Sequence, residues 1–241
     1  AVGEKMVYDT TRTTISDVYS ATYNSSTSSL QTEQTKQTNV DSRKEILEVI
    51  GFDGQSYTLN HTFTNSSKGM AGSSFLETIS KVGQSTWHIK IGTDTFNASS
   101  PRYAFVPNVL EMLTSKPQAR VGDSWRIPYE SSGAEVSGDL IITFYGFENL
   151  TVPAGTYNVF KVGIKSDNVN AHYTTSHNGV EANIAEDFNI QIYLEYGSLR
   201  QIKYTGEGYI SIDPSVKSQS YLKMMPEYTR EEMVLVEHIK P

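Results

Sequence analysis

Apolar residues along this chain recur at every second position far more often than at every third or fourth, the spacing of a half-buried β-strand. From Phe188 to Tyr196, Phe188, Ile190, Ile192, Leu194 and Tyr196 share one face, against Asn189, Gln191, Tyr193 and Glu195. Phe160, Val162 and Ile164 alternate with Lys161 and Lys165, and Trp87, Ile89 and Ile91 with His88 and Lys90. Leu140–Phe147 is apolar on both faces and predicts a central strand. Glu45–Phe52 sets Ile46, Ile50 and Phe52 opposite Leu47 and Val49, so both of its faces are expected to be partly covered. Met233–Ile239 reads as a final strand.

Turn signals cut these runs at short intervals: Asp53-Gly54, Val82-Gly83, Glu130 to Gly133, Pro153-Ala154-Gly155, Tyr196-Gly197 and Asp213-Pro214. Strands with short connections predict an all-β fold: an antiparallel meander forming a curved sheet, half-barrel or sandwich. One or two short helices are expected to accompany it. The first is Val106–Ser115, where Val109, Leu110 and Leu113 share a face; the second is Pro226–Glu232. The reading is one domain over residues 1–241, with a shift near residue 100 from Ser/Thr-rich to longer apolar strands as the place where two subdomains would meet.

Composition narrows the function classes. The 241 residues carry a net charge of −7 and no Lys/Arg-rich run, so phosphate-rich nucleic acid is not an expected partner. No apolar stretch approaches the roughly 18–20 residues that cross a bilayer as a helix. The absence of cysteine removes disulfides, thiolate nucleophiles and thiolate metal sites. Ser and Thr supply about a fifth of the residues, densest in the N-terminal third, a composition that suits pleated surfaces facing water. The chain begins Ala1-Val2-Gly3, which is what removal of a signal peptide after a small residue leaves. Five Asn-x-Ser/Thr sequons, at Asn24, Asn60, Asn65, Asn97 and Asn149, are glycosylation candidates. Together these predict an extracellular or cell-surface protein exported by a cleaved signal peptide.

The catalytic inventory is thin. There is no H-E-x-x-H helix, no G-x-S-x-G elbow and no Walker loop, and Gly206-Glu207-Gly208 lacks the third glycine of a dinucleotide site. His172 and His177 flank a short Thr/Ser stretch and read as solvated loop residues. Asp167-Asn168-Val169-Asn170 reads as a turn held by Asx hydrogen bonds. The neighbouring pairs Glu186-Asp187 and Glu231-Glu232 point to opposite faces of a strand, which makes them poor acid/base partners. The expectation is a protein that is not an enzyme, with no cofactor and no metal.

Three segments then stand out together: Val121-Gly122-Asp123-Ser124-Trp125, Val152-Pro153-Ala154-Gly155-Thr156-Tyr157, and Ile192-Tyr193-Leu194-Glu195-Tyr196-Gly197-Ser198-Leu199-Arg200. In this order, over about residues 119–212, they resemble a diffuse group of secreted prokaryotic β-rich proteins of unknown function, similar to the half-barrels of lipoprotein carriers. The resemblance implies fold and export and names no catalytic group.

The first functional expectation is therefore a non-catalytic surface protein acting in assembly or adhesion, partnered by itself or by other surface components. In that reading a flanking strand such as Lys5–Thr10 adds to a neighbour's sheet. The alternative is a secreted half-barrel that binds an apolar or lipid-like ligand against Phe144, Phe160, Ile192 and Leu194. An unrecognised secreted hydrolase stands behind both.

Overall fold

A computed structural model describes residues 1–24, 29–64, 74–80, 85–91, 94–99, 119–128, 135–174, 181–198, 200–212 and 227–241. Its strands are β1 (Lys5–Asn24), β2 (Ser29–Phe52), β3 (Ser56–Thr64), β4 (Ser74–Ser80), β5 (Ser85–Ile91), β6 (Asp94–Ser99), β7 (Ser124–Pro128), β8 (Glu135–Val152), β9 (Gly155–Thr174), β10 (Glu181–Glu195), β11 (Gln201–Ile212) and β12 (Tyr228–Ile239). All join one antiparallel sheet in the order β6-β5-β4-β3-β2-β1-β12-β11-β10-β9-β8-β7. Two meanders, β1–β6 and β7–β12, are thus welded at their first and last strands, with β1 lying between β2 and β12. The predicted all-β curved meander is what forms, as one open sheet.

No helix occurs among the described residues. Pro226–Glu232, expected as a helix, is corrected: Tyr228–Glu232 opens β12. Its Tyr and Thr suit a strand, and open edges of β1 and β11 flank it on both sides, which outweighs a weak local preference. Val106–Ser115 lies outside the described residues. Glu45–Phe52 is fully buried on one face, and on the other Ile46 is half-buried. Leu47 and Val49 point inward, whereas Ile50 and Phe52 are exposed on the convex side.

The sheet curls because its ladders carry bulges. Register breaks occur at Val7/Tyr8, Val49/Gly51, Ser137/Asp139, Phe144/Gly146 and Tyr193/Leu194. An extra residue on one strand bends that strand and raises its twist. The tightest is at Gly138, whose φ of 117° is open to glycine alone, and where a Cβ would lie 2.4 Å from the carbonyl oxygen of Asn168. Asn168 itself adopts φ 54°, with its own carbonyl accepting from Asn170 Nδ2 at 3.0 Å. The segment read as an Asx-held turn is therefore a bulge within β9.

Curling gives the sheet a concave face with two cores. One gathers Leu140, Ile142, Phe144, Phe160, Val162, Ile164, Ile192 and Leu194 from β8–β10. The other gathers Tyr8, Leu47, Val49, Leu59, Ile202, Met233 and Leu235 with Val152 and Val159 of the β8–β9 hairpin. Beyond the Gly146 bulge that hairpin crosses the concave side and lays its Leu150, Val152, Tyr157 and Val159 face on β1, β2 and β12. It closes one end of the half-barrel. At the other end, among the described residues, β12 pairs β1 only as far as Ile15, and β3 pairs β2 only from Lys44 onward.

Candidate functional site

Strand alternation and register decide which side chains face the concavity. One cross-strand row runs Ile164, Ile190, Gly206, Glu231, Arg12, Asp41 from β9 to β2. The adjacent row runs Val162, Ile192, Tyr204, Met233, Thr10, Arg43. Both rows are apolar on the β9–β10 side; the first turns polar at Glu231 of β12, and the second, which keeps Met233 on β12, turns polar at Thr10 of β1. The inner face is amphipathic across the sheet, and in the first row the changeover falls at β11, where Gly206 carries no side chain. Tyr204 folds back over Gly206, whose Cβ would lie 2.5 Å from the tyrosine hydroxyl.

The polar side is a layer of charged groups held away from water. Arg43 Nη2 donates to Glu231 Oε1 at 3.2 Å, and its guanidinium stands 5.4 Å over the Phe63 ring. His61 is fully buried, with Nδ1 2.8 Å from Glu45 Oε1. Glu45 and Thr10 are each 2% exposed. Within this layer Thr10 Oγ1, Glu45 Oε2, Arg12 Nε and Arg43 Nε have no hydrogen-bond partner. Each such buried group costs about 1–3 kcal/mol of desolvation, and buried ion pairs are often no better than an apolar core of the same volume. This arrangement contributes little to stability and supplies donors and an acceptor inside the concavity.

A second polar cluster sits at the end of the sheet closed by the hairpin. Arg200 donates to Glu4 Oε1 and, at 2.9 Å, to Glu195 Oε2; His238 Nε2 lies 2.7 Å from Glu4 Oε1. Burial works to raise the Glu4 carboxyl pKa, but hydrogen bonds from the Ala1 amino group and His238, with the Arg200 charge, outweigh it and hold it below the ordinary value. Beside this cluster Tyr8 Oη donates to Gln201 O at 2.8 Å, and burial pushes its phenol pKa far above the usual range. Every partner here is satisfied locally, so this cluster is a clasp between β12, the β10–β11 turn and the segment before β1.

The residues singled out from sequence are distributed as follows. Phe144, Phe160, Ile192 and Leu194 do come together, but each is 5% exposed or less. They form core, and the half-buried apolar wall beside them is Trp125, Ile127, Phe188, Ile190 and Tyr204. Among the sequons, Asn149 is exposed on β8 near the hairpin, Asn60 is half-buried in β3 on the convex face, and Asn24 and Asn97 lie in β1 and β6. Asn65 lies outside the described residues, as does His177. His172, expected in a loop, sits in β9 opposite Asn183. The adjacent glutamates do split between faces: Glu231 points in to Arg43 and Glu232 out to Lys203, at 2.6 Å. Lys5–Thr10, expected as a donor strand for a neighbour, is paired on both sides within its own chain.

Sequence reasoning passed over Thr10, Arg12, Arg43, Glu45 and His61. The one available signal was alternation. His61 stands at period two from Leu59 and Phe63, and Glu45 at period two from Leu47, each on an apolar face where a polar residue is out of place.

Among the described residues no helix is long and apolar enough to cross a membrane. No protein-family model matches the chain, and no curated protein matches it. A solved structure from Bacteroides fragilis, described as a candidate exported protein with a YmcC-like fold, is 13% identical over 100% of this chain and 97% of its own, with a TM-score of 0.38.

Proposed function

We propose that this chain is an exported, non-catalytic binding module whose curved sheet receives an amphipathic ligand on its concave face. The observation that carries this reading is the division of that face into an apolar wall and a buried polar layer with unpartnered atoms. Ligand sites have this composition: mostly apolar lining with a few placed polar groups. The sequons and the three-segment resemblance support export. The tail of the ligand rests against Trp125, Ile127, Phe188, Ile190 and Tyr204, beside the filled core. Native mass spectrometry of the chain purified without detergent is expected to show a bound small amphiphile that organic extraction removes. A chain that is empty by mass and takes up no long-chain probe on titration overturns the reading.

The assembly reading has one observation of its own. Phe147 and Tyr196, 61% and 65% exposed, meet edge to face at 5.6 Å and present an aromatic surface to a second copy of the chain. Light scattering that finds a monomer up to high concentration removes that support.

A further inference from the structure

The binding reading leaves the ligand's head group open, and the polar layer narrows it. From the unpartnered atoms of Thr10, Arg12, Arg43 and Glu45 we infer that the layer recognises a neutral head bearing neighbouring hydroxyl groups, the vicinal diol of a glycerol ester or a sugar; this inference rests on the binding-module reading above.

Charge decides against the alternatives. Arg43 pairs with Glu231 and His61 with Glu45, and Arg12 lies opposite Glu231 and Asp41 in the ladder. An anionic head offers no donor to Glu45 Oε2 and sets a second negative charge beside that carboxylate. A cationic head meets two guanidinium groups whose charge cannot be removed. Either is costly in a buried setting. Hydrogen-bond type then selects among neutral heads. Two Nε–H groups need acceptors, Glu45 Oε2 needs a donor, and Thr10 Oγ1 serves as either. A hydroxyl is the neutral group that accepts and donates at one atom, and two adjacent hydroxyls span neighbouring positions. Register supplies the spacing: Thr10 is directly opposite Arg43, and Arg12 and Glu45 flank that pair on opposite sides, so Thr10 and Arg43 each lie within strand-neighbour, cross-strand or diagonal reach of the other groups, about 5–8 Å.

The test titrates the full chain with four single-chain probes below their micelle concentrations: monolauroylglycerol, decyl glucoside, laurate and dodecyltrimethylammonium. The two diol-headed probes are expected to bind at least about tenfold tighter than the charged ones, and the better of the two identifies a glycerol or a sugar source. Arg43→Lys keeps the charge facing Glu231 but deletes the Nε–H, and Thr10→Val deletes the hydroxyl at equal size. Each is expected to weaken the diol probes about five- to tenfold and to leave laurate unchanged. Thr10→Val is also expected to hold or raise the melting temperature of the free chain, because it removes a buried hydroxyl with no partner. A purely structural threonine would lose stability instead. Binding that ignores the head group on the wild-type chain overturns this inference and leaves the binding module standing; no binding by any probe overturns both.

Discussion

Glu4 and Glu186 are two carboxylates placed in opposite surroundings, and the stability of the chain should report both. Glu186 sits on the concave side of β10 opposite Ile210, and burial raises its pKa above 4.5. A carboxyl favoured in its neutral form destabilises the fold as pH rises from the unfolded value through the folded one. Glu186→Gln is therefore expected to stabilise the chain at pH 8 and to lose that advantage at pH 4, read by urea unfolding; an equal effect at both values would show that charge is not the cause. Glu4 behaves in reverse. Its depressed pKa contributes stability that is fully present above 4.5 and is lost as pH falls through the folded value. Glu4→Gln is expected to cost about 2–3 kcal/mol at pH 7, the worth of charged hydrogen bonds given up, with the gap to wild type closing in acid. Neither role was legible beforehand. Glu4 precedes the first strand, and its partners Arg200 and His238 reach it only through the pairing of β1 with β12 and the turn beyond β10.

At the scale of strands, the sequence read well where alternation was strong and poorly where a strand was polar on both faces. Phe160–Lys165 and Phe188–Tyr196 were placed because each sets apolar residues at period two between turn signals, and Leu140–Phe147 because it is a run apolar on both faces. Most of β1 and β2 carries Thr, Gln, Ser and charged residues on both sides, so periodicity had nothing to detect, and these are among the longest strands. Their cohesion comes from the backbone ladder they share, which leaves no trace in hydropathy. A direct consequence concerns amide exchange. From Ser29 to Arg43, β2 pairs with β1 on one side and, among the described residues, with nothing on the other. Alternate amides point to each side. Hydrogen exchange is expected to show every second amide in this stretch protected and its neighbours fast, changing to continuous protection from Lys44 onward. Uniform protection across 29–43 would mean that this edge is covered.

For the whole molecule, the concave face explains why the four apolar residues chosen from sequence were right in location and wrong in role. Phe144, Phe160, Ile192 and Leu194 were picked as the inward residues of the clearest strands, and those strands are clear because they form the packed core. The polar groups that make the other half of the face a candidate site come from β1–β3 and β12. They meet only because the last strand returns to the first. If that closure matters, a chain ending before Tyr228 leaves both β1 and β11 with open edges. It is expected to elute as soluble aggregate, whereas a chain shortened by the final residue Pro241 remains like wild type. Equal behaviour of the two in size-exclusion chromatography would show that the weld is dispensable.

The weld of β1 to β12 also sets an order of events in time. Each meander is built from strands that are neighbours in sequence, and contacts local in sequence form fast. The seam between them joins residues at opposite ends of the chain, so it is the contact of longest sequence separation. During synthesis β1 has β2 beside it early but waits for the last residues before its second edge is covered. Throughout that interval a long polar strand lies open to other chains. The dense Thr, Ser and charged residues of β1 are well suited to that wait, since they keep the edge hydrated until the partner arrives.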